Sequence, residues 1–318
     1  MLETRKALDA RAVAIMILLC LIWSTQQIVL KATAADFSPV LQIALRSGVA
    51  SVLVALYMVV RGERISLSNG IWKPGLLTGA LFASEYLFVG EGLRLTSASH
   101  IVVFLYTAPI FAALGLQWKL PSERLAPLQW MGIFLALAGI AAAFILRGAS
   151  AKQNWIQVIG GDLLGLLGGI AWGATTVVIR STGLSSLPPA QTLLYQLTGA
   201  FALLLPAALL MGQTTFHSTP MVWAGFAFQS VLVSFASFLI WVWLLRHYLA
   251  SRLGVLSFMT PLFGVLLGAW LLSETIEFSF LVGAGLVLAG VVLVNGHDWL
   301  IQLMVVRSST LVGRQRTP

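Results

Sequence analysis

Ten apolar stretches, each near the length needed to cross a bilayer, occupy almost the whole chain: 12–30, 39–60, 72–92, 95–118, 127–147, 161–180, 190–212, 222–245, 248–272 and 278–296. A hydrocarbon core of about 30 Å is spanned by roughly 20 residues of helix. Backbone N–H and C=O groups find no water there, so runs this long must satisfy their hydrogen bonds internally, as helices. Composition points the same way: 9% of residues are charged and 58% hydrophobic, against about 25% charged in a soluble domain. The expectation is an all-α polytopic membrane protein with ten transmembrane helices. The longest connections, around 61–73 and 147–160, are too short to form a domain, so any site must lie among the helices.

The net charge of +8 does not indicate nucleic acid, because the basic residues are scattered over short connections and form no patch. They obey the positive-inside pattern instead. With ten spans and a cytoplasmic N-terminus, fourteen Lys and Arg residues fall on the cytoplasmic side, and only Lys31, Arg94, Arg147 and Lys152 on the other. Both termini are then cytoplasmic, with 297–318 as a cytoplasmic tail. The first stretch has a basic flank but runs on into Gln26-Gln27 without a small-residue cleavage site, so it reads as a retained helix. Cys20 is the only cysteine, which rules out an intrachain disulfide.

The chain is written twice. Ile22-Trp23-Ser24 through Lys31 matches Ala171-Trp172-Gly173 through Arg180 at an offset of 149. Ala98-Ser99-His100 through Pro109 matches Ala250-Ser251-Arg252 through Pro261 at 152, and Leu135–Gly139 matches Leu286–Gly290 at 151. Such self-similarity marks a duplicated unit, here 12–147 and 161–296. Each unit holds five spans, and an odd number forces the second to enter the membrane from the opposite side. Two inverted five-helix repeats are the architecture of alternating-access carriers, with the substrate near the midplane between them.

The Trp-to-Lys/Arg first helix, Arg46 in the second span, the Ser-Ala-Ser…Pro fourth span followed by Glu123-Arg124-Leu125, and the second copy ending in Ser273-Glu274-Thr275 resemble EamA-type carriers of the drug/metabolite transporter superfamily. The resemblance runs over 12–296, essentially the whole chain. It implies ten helices in two inverted repeats and export of amino acids or other small metabolites across a bacterial inner membrane. The aromatic-rich spans look most like exporters whose cargo includes aromatic amino acids.

Two charges lie at bilayer depth, where a charge costs from about 3 kcal/mol upward unless it faces a cavity or a partner. Arg46 and Glu85 each fall roughly 10–12 Å below the outer surface, counted at 1.5 Å per residue, and are close enough to pair. Arg46 is a candidate for a substrate carboxylate and Glu85 for an amine or a proton; a structural ion pair between two helices is the competing reading. Glu91, six positions on, points elsewhere and reads as solvated, and His100 reads as an interfacial histidine. Pro109 and Pro261 hold matched mid-span positions; each removes a helix hydrogen bond, to Leu105 and Ser257 respectively, so both are expected kinks and candidate gates. Trp23, Tyr86, Tyr106, Trp172, Tyr195, Trp241 and Phe258 fall inside spans, where Trp and Tyr need partners for their polar atoms; they line a wet cavity or simply pack. Gln26, Gln27, Thr175 and Thr176 follow the two central tryptophans and would offer neutral hydrogen bonds to a zwitterion. Trp72, Trp118, Trp155, Trp223 and Trp299 fit an interfacial belt.

No Gly-rich phosphate loop, Cys/His metal cluster or nucleophile–base set is present, so no cofactor and no enzyme is expected, and energy would come from a gradient, with protons the candidate ion. The reading is a secondary carrier of a small neutral or zwitterionic molecule, amino acids first. The rivals are a carrier of another metabolite or of a cationic drug-like compound, and an uncoupled channel.

Overall fold

Pro39 and Pro189 each open a 22-residue helix, where a missing N–H costs nothing, and each helix ends at a glycine in the left-handed region, Gly62 and Gly212 (φ +66° in both). Glu63 N bonds Met58 O and Gln213 N bonds Ala208 O, closing the same C-terminal motif twice. These are α2 (Pro39–Val60) and α8 (Pro189–Leu210). The computed structural model describes residues 9–63, 65, 70–119, 125–145, 155–248, 253 and 256–293. The other helices are α1 (Ala10–Ala32), α3 (Trp72–Leu95), α4 (Ala98–Leu105), α5 (Ala108–Lys119), α6 (Pro127–Ile145), α7 (Trp155–Ser181), α9 (Pro220–Ala227), α10 (Phe238–His247), α11 (Met259–Leu271) and α12 (Phe278–Leu293).

Six continuous segments are long and apolar enough to cross a membrane: α1, α2, α4 with α5, α7, α8, and the run from Pro220 to Trp241. Shorter apolar helices lie at Pro127–Ile140, Met259–Leu271 and Phe278–Leu293. α3 has the length, at 24 residues, but also carries Lys73, Glu85, Glu91 and Arg94. Large apolar side chains such as Val59, Leu210, Trp270 and Phe278 project outward, as a lipid-facing surface requires. Trp72, Trp118, Trp155 and Trp223 are exposed too; Trp299 lies outside the described residues.

The expected kinks fall at short interruptions of the helices. The fourth span divides at Tyr106–Thr107 and Pro109 sits in the first turn of α5, where proline is tolerated. Pro261 likewise occupies the first turn of α11, after a turn at Phe258. The stretch read as an ordinary helix over 222–245 is not one: between α9 and α10, residues Phe228–Ser237 form a π-helix.

Two ends of the bundle can be told apart. Lys31, at the end of α1, bonds the carbonyls of Leu93 and Thr96, while Gly161, at the start of α7, lies against Thr96. Hence α1 ends and α7 begins at one end, called the Thr96 end below. The opposite end holds Ile71 and Gly183, which are in contact. α2 packs on α8, α3 on α7 and α8, and α4 on α7 and α11. In α6 and α12 the close approach is reciprocal: Gly139 meets the carbonyl of Gly283, and Gly290 meets that of Gly132. These glycines correspond at an offset of 151 in the repeat, and swapped contacts of this kind are what a two-fold axis produces.

Candidate functional site

A cavity of about 370 Å³ lies in the middle of the bundle and reaches the Gly183 end. Its deep wall carries Trp23, Gln26 and Gln27 from α1, Phe82, Glu85 and Tyr86 from α3, and Leu105 and Tyr106 from the break in the fourth span. Trp172 of α7, Phe238 and Trp241 of α10 and Ser257 face them. The mouth is formed by the short turn at Leu184–Ser185 and by the start of α8, with Thr192, Leu193 and Gln196.

The walls are aromatic by construction. Trp23 and Trp241 meet edge to face at 5.6 Å, as do Tyr106 and Trp172 at 5.2 Å. Trp23 Nε1 donates to Ser237 Oγ at 2.9 Å, which gives this mid-membrane indole its polar partner. Glu85 is 4% exposed, and its Oε2 has no hydrogen-bond partner. A buried carboxyl oxygen left unpaired is costly.

Arg46 and Glu85 attract each other electrostatically, but the hydrogen bond of Arg46 goes elsewhere. Arg46 is 2% exposed, donates to Gln229 Oε1 and lies over the ring of Tyr86, its guanidinium carbon 4.6 Å from the centroid. Gln229 donates in turn to the carbonyl of Gln26 at 2.8 Å, and Gln26 Nε2 reaches Tyr86 Oη at 3.4 Å. Arg46 thus belongs to a ring of polar groups behind the cavity wall, not to its lining. The π-helix is what brings Gln229 to Arg46 and Ser237 to Trp23. No local pattern announces it, because the partners that hold it lie some 180–200 positions earlier in the chain.

Of the other residues marked from the sequence, Thr176 bonds its own helix at Trp172 O. Tyr195 lines a separate apolar cavity of about 550 Å³ between α3 and α8, its hydroxyl unpartnered. Phe258 is buried in an apolar cluster with Val102 and Phe280. Thr192, Gln196 and Phe238 were not marked; apolar or neutral residues near span ends carry no signal by themselves.

The Thr96 end is sealed. Glu274, between α11 and α12, accepts from Ala98 N (2.7 Å), Ser99 N (3.1 Å) and Ser99 Oγ (2.5 Å) and so caps α4. Ser273 just before it is in the left-handed region, with φ 54°. Its repeat counterpart Glu123 lies outside the described residues. His100 is not interfacial as expected but buried: Nδ1 is 2.8 Å from Asp162 Oδ1, and the ring stacks on Phe280 at 3.9 Å. Thr96 Oγ1 donates to the same carboxylate oxygen at 2.8 Å. Glu91, read as solvated, pairs with Arg94 at 2.9 Å and accepts from Gln213. Asp162 was missed, though an acid inside an apolar span is the very signal that marked Glu85. Among the described residues, no group of three or more His, Cys, Asp or Glu side chains is placed to hold a metal.

Apolar helices around an aromatic cavity, sealed at one end by contacts between the two halves, define a multi-pass membrane transporter. The family model described as "EamA-like transporter family" matches residues 10–145 and again 159–296, and the chain belongs to that family. Similar proteins are an uncharacterized transporter of Archaeoglobus fulgidus (24% identical, over 77% of this chain and 88% of the relative), the uncharacterized transporter YoaV of Bacillus subtilis (22%; 85% and 92%) and the uncharacterized inner membrane transporter YedA of Escherichia coli K12 (25%; 87% and 88%). A chain of known crystal structure shares the fold with a TM-score of 0.63 at 18% identity, over 90% of this chain and 96% of that one. The protein is a transporter and not an enzyme.

Proposed function

We propose that the chain is a secondary carrier of small amine-bearing metabolites, with amino acids, aromatic ones included, as the leading cargo and export across a cell inner membrane as the direction. It works by alternating access of two inverted five-helix repeats, 12–147 and 161–296, with both termini cytoplasmic. The opposed directions of α1 and α7 and the reciprocal glycine contacts of α6 and α12 support the inverted pairing. On this topology the cavity mouth faces the cytoplasm and the Thr96 end is the closed outer gate, which is the loading state of an exporter. A seal made by contacts between the halves favours a carrier over an uncoupled channel.

The observation that carries the reading is Glu85 in the wall of an aromatic cavity, with its Oε2 unpartnered. A carboxylate beside aromatic faces attracts an ammonium group electrostatically. Trp23, Tyr86, Tyr106, Trp172 and Trp241 would then pack on the apolar part of the cargo, with Gln26 and Gln27 offering hydrogen bonds. A second reading, a cationic drug-like compound, is favoured by the sequestering of Arg46, which leaves a cargo carboxylate without a cation in the wall. Counterflow in proteoliposomes with a panel of amino acids and organic monocations decides between them, with Glu85→Gln as the variant. Saturable exchange of amino acids that is lost in Glu85→Gln supports the first reading. Exchange restricted to monocations supports the second, and exchange unaffected by Glu85→Gln removes Glu85 from the site.

A further inference from the structure

Arg46 is buried, and its hydrogen bond goes to a neutral side chain, Gln229. Its Nε has no partner. One turn earlier on α2, and therefore on the same face, Gln42 is fully buried and held by Thr33 Oγ1 at 3.2 Å, with its Nε2 unpartnered. Glu85 attracts Arg46 from α3, but among the described residues no carboxylate is hydrogen-bonded to the guanidinium. Two buried donors, one of them cationic, thus stand one turn apart without an acceptor on these atoms.

The unpartnered acceptors lie on the cavity side. Glu85 Oε2 and Gln27 Oε1 are buried without partners, and both residues line the central cavity. Gln26 and Tyr86 form the partition between the two groups: each lines the cavity, and each belongs to the ring that holds Arg46. Their own contact, Gln26 Nε2 to Tyr86 Oη at 3.4 Å, is the longest hydrogen bond in that ring, beyond the range of a strong one. Parting it brings the guanidinium within reach of the cavity. Acceptors in front and donors behind match an α-amino acid, whose ammonium only donates and whose carboxylate only accepts. Glu85 and Tyr86 are consecutive on α3, so the two subsites adjoin, as two charges carried on one carbon require.

We propose that Arg46 and Gln42 form a carboxylate-binding subsite that opens to the central cavity where Gln26 and Tyr86 part. The inference rests on the amino-acid reading above and deepens it. Glu85 takes the ammonium group, and Arg46 takes the carboxylate through a charge-assisted hydrogen bond. Gln229 Oε1 stands in for the carboxylate while the subsite is empty.

The test measures binding to the full chain in detergent micelles at fixed ionic strength, from the rise in melting temperature with ligand concentration. The probes are phenylalanine, phenethylamine, which lacks the carboxylate, and acetate. Wild type is expected to bind phenylalanine about 10–100-fold more tightly than phenethylamine, as one hydrogen bond to a charged group provides, and to be stabilised saturably by acetate. Gln229→Glu sets a carboxylate on Arg46 permanently. It is expected to cut the preference for phenylalanine by tenfold or more and to abolish the acetate response. Arg46→Gln is expected to do the same; if that variant fails to fold, Gln229→Glu decides alone, since it gives Arg46 a counter-charge.

A phenylalanine preference or an acetate response that persists in Gln229→Glu overturns the inference. A wild type that shows neither also overturns it, since water alone behind the wall would give that result. Binding of phenethylamine alone overturns the subsite and leaves the carrier reading in its cationic form. Acetate binding that is lost in Gln229→Glu, with neither aromatic ligand bound, keeps the subsite and removes aromatic amino acids as the cargo.

Discussion

Removing the carboxylate of Glu274 should unlatch the Thr96 end, by an amount that can be worked from its bonds. The carboxylate accepts two backbone N–H groups and one hydroxyl at the first turn of α4. A side-chain cap contributes about 1 kcal/mol and the helix dipole about 0.3–1 kcal/mol more for a negative charge. Glu274→Gln keeps the shape but loses the charge and turns an N–H₂ toward a donor, so about 1–2 kcal/mol is lost. Glu274→Ala also leaves the two N–H groups without their partner, for about 2–4 kcal/mol. At 1.4 kcal/mol per tenfold, opening should rise about 5–30-fold in Gln and roughly 30–1000-fold in Ala. The assay is the rate at which a small membrane-impermeant thiol reagent modifies Val102→Cys in a Cys20→Ser background. Val102 is 1% exposed and packs on Gly264 one turn beyond the cap, so it reacts only when this end opens. Ser185→Cys, at the cavity mouth, is the counter-probe: in an alternating carrier its rate should fall as that of Val102→Cys rises. Unchanged Val102→Cys reactivity in Glu274→Ala refutes the latch, and a rise at both probes shows general loosening instead of a switch.

Other perturbations test the remaining contacts. Gln229→Leu strips Arg46 of its acceptor and should lower thermal stability by about 1.5–3 kcal/mol, with cargo KM raised in counterflow because Tyr86 loses its support; an unchanged KM would confine Arg46 to architecture. Gly139→Ala puts a Cβ 2.6 Å from the Gly283 carbonyl and should cost about 1–3 kcal/mol by overpacking. Gly290→Ala should cost a similar amount and the double variant less than the sum, since one separation of α6 from α12 relieves both; strict additivity in a thermal melt would contradict the two-fold contact. The bonds from Ala12 N and Tyr248 Oη hold the Asp9 carboxyl below its usual range. A group with a lowered folded value stabilises above its unfolded pKa and loses that effect as pH falls through the folded one. Amide exchange in the first turn of α1 should therefore accelerate on acidification in wild type, beyond the intrinsic change, and be fast at all pH in Asp9→Ala.

The spans were legible because a bilayer imposes a length that the sequence must meet, and α2 runs from 39 to 60 in both readings. The duplication was legible because both copies keep the same punctuation, as at Pro109 and Pro261. Glu85 was legible as a charge where charges are expensive. What could not be read were the partners. Arg46 and Glu85 lie at similar depth, and depth alone suggested a pair; the side chain that takes Arg46 instead is Gln229, carried in by a π-helix 183 positions away. His100 looked interfacial because it opens a span, and only the packing of α7 and α12 buries it. Aromatic content marked Phe258 and Tyr195 as readily as Trp23, although one fills the core and another faces a different cavity.

The two copies have diverged at residues in and around the central cavity. The first copy has Glu85 in the third span, while the second has the Ser237 region, whose hydroxyl holds Trp23 in place. Arg46 has as its counterpart Tyr195, which faces away from the central cavity. At the start of the fourth span the first copy has His100, and at the matched position the second has Arg252. Divergence at matched positions gives the two halves different side chains, so a pseudo-symmetric scaffold need not present two equivalent ends.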